Sequence, residues 1–156
     1  MTFDLTTDRV KQAEGLYAYM PNLPQPHNCI FTGNAGDTVH TGAVVKLDAT
    51  STSTIAPKVK VADETDDVFG VVVYDMVKDT YAVGDKVAVA QTGDSIYLVA
   101  GGAIAVGAKV EFDKATRKVK TGATQGNTLI GIAETVASAD GDYIQIKLNF
   151  NLGKQA

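Results

Sequence analysis

One β-type phrase is written twice in this chain. Gly42-Ala43-Val44-Val45-Lys46-Leu47-Asp48 returns as Gly107-Ala108-Lys109-Val110-Glu111-Phe112-Asp113. Two further phrases follow in the same order. Phe69-Gly70-Val71-Val72 returns as Ile130-Gly131-Ile132-Ala133, and Asp85-Lys86-Val87-Ala88-Val89 as Asp142-Tyr143-Ile144-Gln145-Ile146. The spacing between copies shrinks along the chain as the loops shorten. Kept order with gradual drift marks a weak internal duplication, not an array. The residue types say what is duplicated. Glycine, then Asp or Ala, then an alternating run is a turn that needs positive φ and opens a strand. Glycine inside an apolar strand marks a bulge or a close approach by a neighbouring strand. A closed β scaffold built from two related halves needs both devices twice.

From Cys29 onward the reading is β nearly throughout, with about nine or ten short strands. In "GAVVKLDAT" the alternation sets Val45 and Leu47 against Lys46 and Asp48, a half-buried strand. "PKVKVAD" alternates Val59 and Val61 with Lys58 and Lys60, and "DVFGVVVYDM" reads as a strand covered on both faces. "DKVAVAQTGDSIYLVA" reads as a hairpin bent at Thr92-Gly93-Asp94, and "KVEFDKATRKVKTG" as another. "GDYIQIKLNF" places Tyr143 and Gln145 opposite Ile144, Ile146 and Leu148. The expected fold is all-β, a compact antiparallel barrel or sandwich formed by residues 29–150 with a tail at 151–156.

Residues 1–28 read differently. Val10, Ala13 and Leu16 recur at a spacing that allows a short helix at the start. Pro21, Pro24 and Pro26 then crowd a segment that still carries Leu16, Tyr17, Tyr19, Met20 and Leu23. Proline fixes φ, removes a donor and pushes its predecessor into extended geometry. An extended arm with large apolar side chains needs a surface to lie on, in its own domain or on a neighbour. Tyr17, Tyr19, Met20, Leu23 and Phe31 are the candidate partner-binding residues, since aromatic anchors dominate interface energies.

Composition narrows the function classes. Hydrophobic residues make up 45% of the chain, enough for a core, while the net charge is −4 and basic residues never run beyond Arg117-Lys118. Phosphate backbones and anionic membranes both call for a basic stripe, so neither nucleic acid nor membrane is an expected partner. Cys29 is the sole cysteine, which excludes an intramolecular disulfide. A Cys29–His27 dyad lacks an orienting carboxylate by motif, and the chain contains no "GxSxG". The acidic run Asp63-Glu64-Thr65-Asp66-Asp67 lacks the calcium-loop pattern and reads as a solvated loop. "GNAGDTVHTG" has no phosphate-loop lysine. "GDTVHTG" and Asp113-Lys114-Ala115 echo a lipoyl or biotinyl carrier domain, but the two pieces lie far apart. No catalytic residue, metal ligand or cofactor is expected.

The order of elements resembles the capsid decoration, or cement, proteins of tailed bacteriophages. It runs "FGVVVYD", "GDKVAVA", "AIAVGAKV", "FDKATRKV", "LIGIA" and "DYIQIKL", within a similarity that covers roughly Gly36 to Leu148. The resemblance implies a non-enzymatic protein on the outer surface of the virion head; "MTFDLTTDRVKQAEG" has no apolar core of signal-peptide length, so synthesis in the host cytoplasm without a signal peptide is expected. Its implied partners are the major capsid protein and copies of itself, as a trimer or dimer, with an extended arm reaching a neighbour. A β-barrel module that binds glycan or protein is the alternative; the absence of Trp gives it little support.

Overall fold

The structure, a computed structural model, describes residues 27–52, 56–74 and 78–156. The arm residues Tyr17, Tyr19, Met20 and Leu23, the three clustered prolines and the candidate starting helix lie outside the described residues. Twelve strands follow in chain order. They are β1 (His27–Phe31), β2 (Thr38–His40), β3 (Val44–Leu47), β4 (Lys58–Val61), β5 (Gly70–Val72) and β6 (Thr80–Ala82). Then come β7 (Lys86–Ala90), β8 (Ser95–Val99), β9 (Lys109–Asp113), β10 (Lys118–Thr121), β11 (Leu129–Ala133) and β12 (Tyr143–Leu148), before a short 3-10 turn at Phe150–Leu152. The fold is all-β, as the alternating patterns require.

The duplication is real and reaches further than the three repeated phrases. Strands β1-β4-β3-β5-β7 form a closed barrel, and β10-β9-β11-β12-β8 form a second sheet in the corresponding order. The registers agree pair by pair. Val45 opposes Val61 on β3 and β4, as Val110 opposes Thr121 on β9 and β10. Val72 opposes Val89, as Ala133 opposes Ile146. Cys29 opposes Val87, as Leu98 opposes Ile144. The barrel closes by parallel pairing of Phe31 with Val59, where Thr32 N–H donates to Val59 O at 2.8 Å. In the second sheet the matching seam is one parallel bridge, Ala100 with Val119, where Gly101 N–H donates to Val119 O at 2.7 Å.

This symmetry corrects one expected hairpin. The turn at Thr92-Gly93-Asp94 exists, but β7 pairs with β1 and β5 while β8 pairs with β12. The turn is therefore the junction between the two units, and β8 is the second copy of β1. A local reading sees two alternating strands joined by a good turn and pairs them; the duplicated topology gives each strand a better-matched partner elsewhere. The hairpin of β9 and β10 does form.

Glycines allow the strands to close. A Cβ on Gly70 would stand 2.8 Å from Ala90 O and 2.9 Å from Val89 Cβ, and one on Gly131 would collide with Lys147 O. The second site coincides with a register shift between β11 and β9. The turns repeat too. Gly84 and Gly141 sit at φ 92° and 93°, and each is followed by an aspartate whose carboxylate turns back on the turn. Asp85 accepts from Ala82 N–H at 2.9 Å, and Asp142 from Ala139 N–H at 2.9 Å.

Two buried clusters fill the body. Cys29, Phe31, Val45, Val59, Val72, Val87 and Val89 of the barrel strands form one cluster, joined by Val39 and Tyr81 from the separate two-stranded sheet of β2 and β6. The second cluster fills the other unit with Leu98, Val110, Ile144 and Ile146, and also takes in Val44, Val71 and Ala90 from the outside of the barrel. The two units therefore share one continuous apolar contact. This explains why Val44 and Val45 are both buried, each on its own face of β3. Leu47, expected inside, is 49% exposed because it ends the strand at the barrel mouth. The strand expected to be covered on both faces is so: Gly70, Val71 and Val72 are all buried.

Two predictions follow from this architecture. Gly70→Ala and Gly131→Ala should each lower stability by about 1–3 kcal/mol through forced overpacking, read from the denaturant midpoint, whereas Val106→Ala on an exposed loop should stay within roughly 0.5 kcal/mol. Acid should unfold the protein through carboxylates that hold turns. Hydrogen bonds from the Thr32 hydroxyl and from Thr50 hold Asp48 well below the usual range. Lys78 and then Ala82 N–H lower Asp85, and Lys46 lowers Asp66. Because these values are depressed in the folded state, their stabilisation is present above the ordinary carboxylate range and is lost as pH falls through the folded values. The melting temperature should hold steady down to about pH 5 and drop below about pH 4. Asp48→Asn should melt lower at pH 7 and show a shallower acid decline.

Candidate functional site

Most of the partner-binding residues proposed from sequence lie outside the described residues. Of the partner-binding candidates only Phe31 is described, and it is 1% exposed within the barrel interior. Its alternation on β1 turns the ring inward, so in the single chain it offers no face to a partner. Cys29 is 0% exposed in the same interior, and burial pushes its thiol up to about 11, so it keeps its proton at neutral pH. No three His, Cys, Asp or Glu side chains cluster as metal ligands among the described residues. No helix among them is long and apolar enough to cross a membrane.

The acidic run and Lys114 have a different role from those first considered. Lys114 Nζ pairs with Asp63 at 2.6 Å, and its backbone N–H donates to Glu64 at 2.9 Å. Lys46 reaches Asp66 at 2.5 Å. From the other side, the Thr128 hydroxyl donates to Asp66 O and Thr128 N–H to Glu64 O, both at 2.7 Å. The run is thus a clasp that ties the barrel to the β9–β10 hairpin and to the loop before β11. Such exposed ion pairs contribute little stability alone, about 0–1 kcal/mol, but they fix the relative placement of the two units.

Beside this clasp lies a groove of about 660 Å³ between the units. Residues 31–34, 37–40, 42–44, 48, 50 and 60–62 line one wall, and Leu98, Phe112–Lys114 and Arg117–Val119 the other. Its rim carries the carboxylates of Asp37, Asp48 and Asp113 and the basic groups of His40, Lys60, Lys114, Arg117 and Lys118. The carboxylates are occupied. Asp48 accepts from Thr32 Oγ1 at 2.6 Å and from Thr50 N–H at 2.9 Å. Asp113 accepts from Ala115 N–H at 3.0 Å, and Asp37 from Asn34 N–H at 2.7 Å. Lys114 and Lys118 are paired outward, to Asp63 and Asp140. Burial, and after it the charge of Arg117, holds His40 below its ordinary value against the pull of Asp79.

Arg117 stands apart. At φ 58° it is the one non-glycine among the described residues with positive φ. That conformation costs an L-residue roughly 1–2 kcal/mol. Sequence reading passed over it, although the signal was there: in Asp113-Lys114-Ala115-Thr116-Arg117-Lys118 an arginine holds a hairpin position that glycine or asparagine usually fills. A second surface feature is apolar. Val106 and Val136 are 64% and 61% exposed on the loops joined by the bridge of Ile104 with Ala137. The first unit places Thr41 where the second has Val106.

Comparison with known proteins follows this geometry. A search of curated protein sequences returned no match. Among solved structures, the fold is similar to the crystal structure of the head fiber gp8.5 N base of bacteriophage phi29. The TM-score is 0.52 at 16% identity, covering 83% of this chain and 98% of that one. Residues 24–148 match the phage cement protein family, a span that takes in both units of the doubled body, and the chain belongs to that family.

Proposed function

We propose that the chain binds the outer surface of a phage head and stabilises contacts between major capsid protein subunits, without catalysing a reaction. The family match across both units carries this reading. The geometry supports it. A body fixed by a shared apolar core and a clasp is stiff, and a stiff body loses little entropy when it bridges two neighbours. The acidic balance of 18 Asp and Glu against 14 Lys and Arg suits a position away from the packaged genome. Tyr17, Tyr19, Met20 and Leu23 would form a strap on a neighbouring coat subunit or on a second copy of this chain, in a trimer or dimer. Repetition over a shell makes individually weak contacts sufficient, because linked sites raise effective concentration.

Co-sedimentation with undecorated heads tests the reading. The full chain should pellet with expanded shells, not with free coat subunits, and should raise the temperature at which the shells come apart. A chain shortened to residues 27–156 should bind at least tenfold more weakly. Heads that gain neither bound protein nor heat resistance would refute the proposal.

A further inference from the structure

We propose that the groove between the two units holds residues 16–20 of a second copy of this chain, added as a strand beside β2. The inference deepens the shell-binding reading, from which it takes the strap, by naming what the strap lies on. The groove offers an open strand edge. β2 pairs with β6 alone, in a sheet of two strands. Thr38, Val39 and His40 all line the groove. Successive side chains of a strand point to opposite faces, so three consecutive residues line a cavity when the strand's edge borders it. An edge of unpaired backbone groups is where an extended segment adds.

Charge and composition select the segment. Lys60 stands close enough to Asp48 to stabilise its charge, and Lys120 Nζ lies 3.7 Å from Asp113. Lys114 and Lys118 are matched by Asp63 and Asp140. Asp37 and Arg117 add one charge of each sign, and His40 is held toward its neutral form. A charged occupant would lose water in such a balanced groove without gaining a partner, so a neutral one is favoured. Residues 15–26, "GLYAYMPNLPQP", contain no charged residue. Leu16 to Met20 are also free of proline, so each keeps the N–H that a strand ladder needs. Their large side chains would rest on the groove's apolar lining of Ala43, Val61 and Leu98.

The point of attachment assigns the segment to a neighbour. Phe31 at the end of β1 lines the groove, whereas His27 at its start, about 13 Å away, does not. The arm therefore joins β1 at the end remote from the groove. Ile30 is already paired on both sides, with Lys58 and Lys86, so the arm cannot run back to the groove within the sheet. Three prolines among the six residues between Met20 and His27 favour an extended spacer of about 20 Å, which carries the segment toward another copy.

Crosslinking of full-length chains tests this with no shell present. A Tyr19→Cys chain and a Thr38→Cys chain are mixed and treated with a short bis-maleimide; Cys29 is fully buried and takes no part. The mixture should give a covalent pair joining residue 19 of one chain to residue 38 of the other, at least tenfold more of it than when Val106→Cys replaces Thr38→Cys. A chain carrying both Tyr19→Cys and Thr38→Cys should link between copies and not within one. By light scattering the wild type should be a dimer or trimer at micromolar concentration. Tyr17→Ser combined with Tyr19→Ser should shift it to monomer with an unchanged β-type circular dichroism spectrum. Absent links, equal linking at residue 106, links confined to single chains, a monomeric wild type or a double variant that stays oligomeric each overturn the inference. Heads take no part in these measurements, so failure to bind shells leaves this result standing, and a failed link leaves the shell assay to be read on its own.

Discussion

The body depends on how closely β5 can approach β7, and β11 approach β12. At both places the approaching strand carries a glycine, Gly70 or Gly131, and a methyl group there would meet the neighbouring backbone. A sheet of five short strands closes only if it curls sharply, and glycine kinks and bulges are the means of doing so. With the glycines in place, Val72 meets Val89, Ala133 meets Ile146, and the outer strands are carried round to their parallel seams. Without that approach the interior side chains would have no enclosed space to fill.

Two units with one frame have diverged where the frame leaves them free. Phe31 and Tyr81 fill the first cluster, while Ala100 takes the place of Phe31 in the second. Lys46 and Glu111 occupy equivalent positions with opposite charge. Lys46 reaches outward to Asp66. Glu111 is fully buried and accepts hydrogen bonds from Thr124 Oγ1 at 2.7 Å and Thr124 N–H at 3.1 Å, pinning the loop after β10. A symmetric pair of barrels would present two similar surfaces. The divergence instead makes a groove at their junction and an apolar tip at Val106 and Val136, which gives the body distinct faces.

Much of the fold was legible in the residues. Alternation in Tyr143–Leu148 placed Ile144, Ile146 and Leu148 inside, and mid-strand glycine marked a close approach in both copies. The pairing of β7 with β8 misled because alternation and turn chemistry are local, whereas strand partners are chosen by the whole sheet. The equivalence of β1 and β8 was hidden because "HNCIF" and "SIYLV" share no residue at matching positions. Leu47 misled because alternation gives a side chain's direction and not whether anything covers it.

The chain's own order of residues settled that the body from Cys29 onward is β-built, that it is doubled, and where its turns bend, since each of these is set by side-chain period or backbone sterics over a few neighbours. The groove and the acidic clasp were decided by tertiary structure alone. Their residues lie far apart in the chain and meet only when the barrel and the second sheet pack on one apolar face, so no local pattern could record what each would find opposite.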